Sequence, residues 1–545
     1  MRALWIVLLT CSGALAQGSL SVYNAASRVT NGPIAPGSLI ELDYFAAISG
    51  SGNLPQIAGV RIQPQGSNQT FDAQLVNPSS FSTLAVVPNA VPTGPVTVSL
   101  LFQSGSTISE PVTVAPVAAG VFSASGAGRG PAAAQNDAQG SQPSLNQLTN
   151  PALPGQYVTL WATGMGTLTT PDVSVNISGI SVPASFAGTA PGLAGMDQIN
   201  FQLPGDFPAG CYTPVFVTAG SSVSNTVTIA TSKGGPCAHP LGLSAGQMKA
   251  LDNGSGIRLG TISFYANVIA PQPGVPDAYT RSESIQASFD VQDAYFVFLI
   301  SQTLDGGPGC SLGNPLETYA LFVAGGRTPP AGPTLTATDS SGNALSLTAD
   351  PFGYYSTQLT APPTAATSAQ LSPPVLSPGP WQINVPGGPV IGAFQQSYTL
   401  PPQIRWMNRE SLATISRSAD VPVIWNPQGY STDDVVTAIL PSGIGAVTCT
   451  APAASGQLTV PASLLQQIPP SEASHSGYIM VIVEPKNPTI FGIPVIGSLD
   501  APLLFKYSSA IRVPWWFSSA EAQTVAFGGL RHGLRGLPCL THHGG

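Results

Sequence analysis

The sequence predicts an all-β chain of serial β-sandwich domains with very little helix, and three observations carry that expectation. Residues 34–115 and 152–230 read as two copies of one unit. Short alternating apolar runs are separated by turn residues, with 59 Gly and 54 Pro in a chain of 545. Charged side chains, among them the helix-favouring Lys, Glu and Arg, make up only 8% of the chain, against about 25% in ordinary soluble domains.

The duplication is read residue by residue. Ile34, Pro36, Gly37, Leu39 and Leu42 match Ala152, Pro154, Gly155, Tyr157 and Leu160, and Pro88, Pro92 and Gly94 recur as Pro204, Pro208 and Gly210. Each copy closes on a short strand, residues 112–114 and 227–229. The offset drifts from 118 to 116 to 115 along the copy, as it must if turns gain and lose residues while paired strands keep register. A unit of this length with alternating strands suits a small β-sandwich.

Residues 1–16 combine Arg2, the apolar run 3–9 and Ala14-Leu15-Ala16 before Gln17. That is the pattern of a signal peptide with a small-x-small cleavage site, so the expected location is secreted or cell-surface. A lipid anchor on Cys11 fits less well, because Thr10 stands where a small residue is required. No later run supplies the roughly 20 apolar residues of a membrane helix.

From there the expected organisation is repeat 1 over 17–118, repeat 2 over 119–232, a third β-rich domain over 233–400, a fourth over 401–515, and a disordered tail over 516–545. Residues 126–150, rich in Gly, Ala, Gln and Asn, read as a loop. Ser244 followed three residues later by Gln247 is a capping box and predicts one short helix over 244–251. In the third domain strands are expected at 257–264, 284–289, 294–300, 334–338, 344–348 and 381–385. Residues 339–343 form a hairpin signal and 294–300, apolar throughout, a doubly buried strand. The fourth should carry strands at 421–425, 435–440, 445–450, 458–460 and 478–483, with a helical turn at 461–467.

Five cysteines follow the leader: Cys211, Cys237, Cys310, Cys449 and Cys539. Export permits disulfides. Cys211 and Cys237 flank the last strands of repeat 2 and are the expected pair, closing a loop worth about 3.5 kcal/mol of chain entropy. The pairing of the other three stays open; lying in different expected domains, Cys310 and Cys449 read as free, buried thiols, and the odd count leaves at least one thiol unpaired per chain.

An ordered set of motifs adds a family resemblance. Asn24-Ala25-Ala26-Ser27, Ile34 to Gly37, Gly120-Val121-Phe122, Asn150-Pro151-Ala152, Pro154-Gly155, Thr163-Gly164-Met165-Gly166, Gly188 to Gly192, Gln198-Ile199-Asn200 and Ser224-Asn225 follow in order. Together they resemble the Solibacter-type C-terminal domain family of exported acidobacterial proteins, over about residues 24–231. The resemblance implies secretion and an immunoglobulin-like sandwich akin to IPT/TIG domains, with no established activity and so no functional residues to carry over. The domain usually closes a protein, whereas some 300 residues follow here.

Candidate chemistry is sparse. The net charge of −8 offers no basic face to nucleic acid. Gly242-Leu243-Ser244-Ala245-Gly246 fits a nucleophile elbow, but an elbow needs a strand leading in and a long helix leading out, so the helix-cap reading is preferred. Of five histidines, His239 and His475 lie in the body and His532, His542 and His543 in the tail; His475 reads as solvated in a polar turn. Cys237 and His239 lack a second pair at zinc spacing, and Asn136-Asp137 and Asp433-Asp434 lack a spaced oxygen set, so neither metal nor cofactor is expected. Trp161, Trp381 and Trp425 stand in apolar strands and read as buried. Trp515 and Trp516 are adjacent on one strand, so one of them must leave the core face; this pair is the candidate ligand-binding surface.

The leading expectation is therefore a secreted, non-catalytic protein of cell-surface or extracellular interaction, its partner an extracellular protein or glycan. The alternatives are carbohydrate-binding modules that assist polysaccharide degradation, and a hydrolase with an unrecognised site in 239–514.

Overall fold

A computed structural model describes residues 19–45, 56–78, 82–137, 142–168, 170–269, 280–302, 309–313, 331–350, 353–359, 374–412, 414–442, 445–466, 477–486, 489–496 and 501–517. The chain divides into two compact units, Met1–Gly256 with Asp293–Leu299, and Ile257–Gln292 with Ile300–Gly545. The fold is all-β with little helix. The expected leader at 1–16, His475, the three tail histidines and Cys539 lie outside the described residues.

The first unit holds both copies. In the first, β1 (Ser19–Asn24), β2 (Leu39–Phe45), β3 (Ile57–Pro64), β4 (Phe71–Pro78), β5 (Ser82–Val86), β6 (Gly94–Phe102) and β7 (Thr107–Val114) run in the order β1-β2-β5-β4-β3-β6-β7. Strand β4 pairs with both β5 and β3, and its register with β5 shifts between Leu75 and Asn77, a bulge that lets one strand serve two sheets. Alternation decides the faces: Val96, Val98 and Leu100 of β6 are fully buried, as are Ile40 and Leu42 of β2.

The second copy comprises β8 (Gly120–Val121), β9 (Ala134–Asp137), β10 (Ser144–Leu145), β11 (Tyr157–Thr163), β12 (Val173–Ile177), β13 (Ile180–Pro183), β14 (Phe186–Thr189), β15 (Asp197–Gln202), β16 (Thr213–Ala219), β17 (Ser222–Val223) and β18 (Val227–Ile229). One sheet runs β10-β9-β11-β15-β14 with β8 on β11; the other runs β13-β12-β16-β17 with β18 on β16. They enclose one core that includes Val158, Leu160, Val175, Ile199, Phe201 and Val217. The pairings repeat those of the first copy: β11 with β15 as β2 with β5, and β12 with β16 as β3 with β6. Residues 126–150 are not wholly loop as expected, for Ala134–Asp137 adds to β11 and buries Ala134 and Asn136. Its side chains are too small and polar to announce a strand.

Residues 233–256 belong to this unit rather than opening a third domain. Cys211 and Cys237 are disulfide-bonded, with Cα atoms 5.0 Å apart. Ser244 caps α1 (Ala245–Asp252) through a complete capping box with Gln247. At the other end of α1 the Asp252 carboxylate accepts from the N–H of Leu148 at 3.0 Å and Thr149 at 2.8 Å, tying the segment to repeat 2. Residues 294–300, expected as a strand, lie instead in a helix, α2 (Ala294–Gln302). The Asp293 carboxylate accepts from Phe296 N–H at 2.7 Å at its start. An apolar run without alternation does not distinguish a buried helix from a buried strand.

In the second unit the expected boundary between 400 and 401 does not separate one sheet from another. Strand Ile257–Ile269 pairs antiparallel with Thr280–Gln292 and parallel with Ala501–Phe517, within one 14-stranded assembly. A single core runs from Ile262 to Phe505 and holds Trp381, Trp406 and Trp425. Each of these indoles donates its N–H, to Ser377 O, Asn408 Oδ1 and Ala453 O respectively. The hairpin signal at 339–343 joins Thr334–Asp339 to Ala344–Ala349, with Asp339 Oδ1 accepting from Asn343 N–H at 2.8 Å. A helical turn, α3, spans Ala462–Leu465. Cys310 and Cys449 are not free thiols as expected; they face each other on paired strands, Cα atoms 4.0 Å apart, and form a disulfide. The expected tail begins inside strand Ala501–Phe517, and residues 518–545 lie outside the described residues.

Candidate functional site

Several of the motif residues, Asn24 and Thr163 to Met165 among them, meet at the junction of the two sandwiches. Asn24, 3% exposed, donates from Nδ2 to Ala118 O at 2.7 Å and accepts at Oδ1 from the N–H groups of Ala26 and Ser27, both at 3.0 Å. Gly164, with φ +85°, lies where an added Cβ would come within 2.1 Å of Ala118 O. Thr163 Oγ1 accepts from Leu39 N–H at 2.8 Å and donates to Gly195 O at 2.6 Å. Asp197 accepts from Met165 N–H at 2.9 Å, and burial raises its carboxyl above the usual range. Asn225 accepts from Val121 N–H and donates to Val121 O and Gly128 O. These side chains are committed to backbone groups, so their role is architectural.

Next to that junction the outer faces of the duplicated sheets have diverged. In the first copy the outer positions of β1 and β2 carry an ion cluster: Arg28 pairs with Glu41 and Asp43 and lies over the Tyr23 ring, 4.4 Å from its centroid. In the second copy the positions matching Leu39, Glu41 and Asp43 are Tyr157, Thr159 and Trp161. Trp161 stands opposite Gln198, Thr159 opposite Asn200, and Tyr157 opposite Gln202 on β15. Phe186 on β14 stands opposite Asn200, and Gly188 opposite Gln198. Phe186 is 39% exposed, and its Cζ lies 3.6 Å from where a Gly188 Cβ would be, so the ring lies along the strand over the glycine. Trp161, Tyr157, Gln198 and Asn200 are partly exposed.

Trp161 is therefore not buried as the apolar strand suggested. Val158, Leu160 and Ala162 take the core face, which turns Tyr157, Thr159 and Trp161 outward. The signal that could have found it is this alternation, read against the matching Glu41 and Asp43. Asn200 Oδ1 accepts from Thr159 Oγ1 and from Gln198 Nε2, each at 3.0 Å. That leaves the Asn200 amide N–H groups and the Gln198 carbonyl oxygen without a hydrogen-bond partner among the described residues. Among the described residues, no side-chain hydrogen bond engages the Trp161 indole N–H or the Gln135 amide, which sits beside Thr159 on β9.

The other candidate residues are accounted for structurally. Ser244 Oγ accepts from Gln247 N–H at 3.3 Å and donates to Gln247 Oε1 at 3.0 Å, which commits it to the helix cap. His239 Nδ1 accepts from Leu241 N–H at 3.1 Å, so the neutral ring carries its proton on Nε2, 3.0 Å from the Tyr212 hydroxyl. Burial lowers this imidazole to about 4. Among the described residues no group of three His, Cys, Asp or Glu could hold a metal ion. No described helix is long and apolar enough to cross a membrane. For Trp515 and Trp516 the backbone is placed, opposite Gly477 and Thr414, and their side chains lie outside the described structure.

The fold defines an all-β protein with a duplicated sandwich and a large second β unit. No family model and no curated protein matches the chain. Among solved structures it is similar to domains 5–6 of the S-layer protein SbsC, at 16% identity over 40% of this chain and 98% of that one, with a TM-score of 0.19. It is also similar to the SGBP-B protein of the Bacteroides ovatus mixed-linkage glucan utilization locus, at 10% identity over 82% of this chain and 90% of that one, TM-score 0.13. A Ca2+-stabilized adhesin of an Antarctic bacterium is similar at 12% identity over 91% of this chain and 99% of that one, TM-score 0.13. Likenesses this distant carry no argument about function.

Proposed function

We propose that this is an exported, non-catalytic β-sandwich protein that acts at the cell surface or in the extracellular space through the outer faces of its sheets. The observation that carries the reading is the divergence of the duplicated faces. One copy carries an ion cluster of Arg28 with Glu41 and Asp43, while the other turns Tyr157, Trp161 and Phe186 outward among amides. Aromatic rings held partly in solvent on a rigid sheet are the kind of surface that binds. Two disulfides support an oxidising destination. The residues on which a Ser-His hydrolase would rest, Ser244 and His239, are both engaged in structural hydrogen bonds.

The test is fractionation of cells producing the full chain, followed by alkylation of the denatured protein. The expected result is an extracellular or surface-bound chain in which Cys211, Cys237, Cys310 and Cys449 resist alkylation until reduced. A cytoplasmic chain with these four thiols open would overturn the reading.

A further inference from the structure

We infer that the outer face of the β9-β11-β15-β14 sheet is a binding site for a neutral glycan chain, with Trp161 and Phe186 as stacking platforms. The inference rests on the reading of this face as a contact surface and adds the ligand's chemistry. Strands in a sheet lie about 5 Å apart, so Phe186 and Trp161, on strands separated by β15, stand roughly 10 Å apart across the sheet. In the row Gly188, Gln198, Trp161, the Phe186 ring lies over the first position, Trp161 holds the last, and Gln198 stands between them. Because Gly188 has no side chain, the Phe186 ring lies along the strand over it, and the Gln198 amide is the polar group between that ring and Trp161.

The polar inventory matches hydroxyl groups. Asn200 Oδ1 accepts from Thr159 and Gln198, which leaves its own amide N–H groups and the Gln198 oxygen without a partner among the described residues. The Trp161 indole N–H and the Gln135 amide supply a further donor and a donor-acceptor pair. Alternating neutral donors and acceptors between apolar ring faces suit a ligand whose hydroxyls ring an apolar C–H face, which is a pyranose. Among the described residues of these strands, Asp137 at the end of β9 is the one carboxylate on this face, and no cationic side chain stands in the row. That disfavours an acidic polysaccharide or a phosphate-bearing ligand. The first copy makes the contrast, since its matching positions carry the carboxylates Glu41 and Asp43, paired with Arg28.

The experiment is affinity electrophoresis of the full chain through gels containing neutral glucans, mannans, xylans or galactans, with polygalacturonate as the charged control, followed by calorimetry on the polymer that retards it. The expected result is retardation by at least one neutral polymer that persists at high salt. Trp161→Ala and Phe186→Ala should each weaken it at least about tenfold, equivalent to about 1.4 kcal/mol. Trp161→Phe should keep most of the affinity, and Glu41→Gln in the first copy all of it. Circular dichroism melting of each variant separates lost binding from lost folding. Failure of the folded wild-type chain to bind any of these polymers would overturn the inference, as would binding that both alanine variants leave unchanged, binding abolished by salt, or capture of a peptide in place of a glycan. An exported chain with its four cysteines bonded but no glycan binding would leave the broader reading standing and this one refuted.

Discussion

Replacing Asn24 by alanine removes three hydrogen bonds at once. Its amide donates to Ala118 O across 94 residues of sequence, and its carbonyl oxygen takes two backbone N–H groups at the turn after β1. The residue is 3% exposed, so water does not replace what the side chain provided. A buried backbone group left unpaired costs about 1–3 kcal/mol. Local relaxation would recover some of that for the turn, so roughly 3 kcal/mol is the expected loss for Asn24→Ala. For a sandwich pair of this size each kcal/mol shifts the melting midpoint by about 2–4 °C, which sets the fall at roughly 6–12 °C. Calorimetry resolves the transition, and hydrogen exchange assigns it: deprotection should concentrate in β1 and in residues 116–122. A midpoint lowered by less than about 1 °C in Asn24→Ala would refute the argument that this side chain holds the turn after β1 to the segment that leaves the first copy.

Two further outcomes follow from buried groups. His239 is held near 4 in the fold against 6.5 free, so the unfolded chain takes up the proton first as pH falls. Its contribution is complete above about 6.5 and is lost toward 4, a difference on the order of 3 kcal/mol, and urea midpoints across that window should slope upward with pH. In His239→Gln the slope should flatten, and an unchanged slope would contradict the assignment. The Cys310–Cys449 bridge spans 139 residues, and the chain-entropy model gives such a closure about 5 kcal/mol. Cys310→Ser with Cys449→Ser should therefore lower the unfolding midpoint of the second unit far more than that of the first, as read by peptide-resolved hydrogen exchange in urea.

Local signals in the sequence read true where one interaction decided the outcome. Ser244 and Gln247 announce the α1 cap, and Asp339 to Asn343 announce the hairpin, because each depends on hydrogen bonds within five residues. The pairing of the two copies was legible because a shift of one residue would turn a core face to solvent. What failed to show were outcomes set by distant partners. Ala294 to Ile300 gives no period, and Asp293 together with the ring contact of Phe298 with Tyr212, 5.3 Å between centroids, makes it a helix. Cys310 and Cys449 are brought together by strand order, which no local pattern reveals. For the candidate site, the aromatic character of Trp161 is visible in the sequence and its face is not, since an apolar strand can turn alternate side chains to solvent. Its partners Gln198, Asn200 and Phe186 join it only through the β11-β15-β14 pairing.

The second sandwich holds an indole at its surface while the tryptophans of the other core are shut away, and the functional reading depends on that difference. Peptide-resolved oxidation of tryptophan in the native full chain tests it most directly. Trp161 should oxidise well ahead of Trp381, Trp406 and Trp425, which are 2%, 4% and 2% exposed. Protection of Trp161 equal to that of these three would contradict the account.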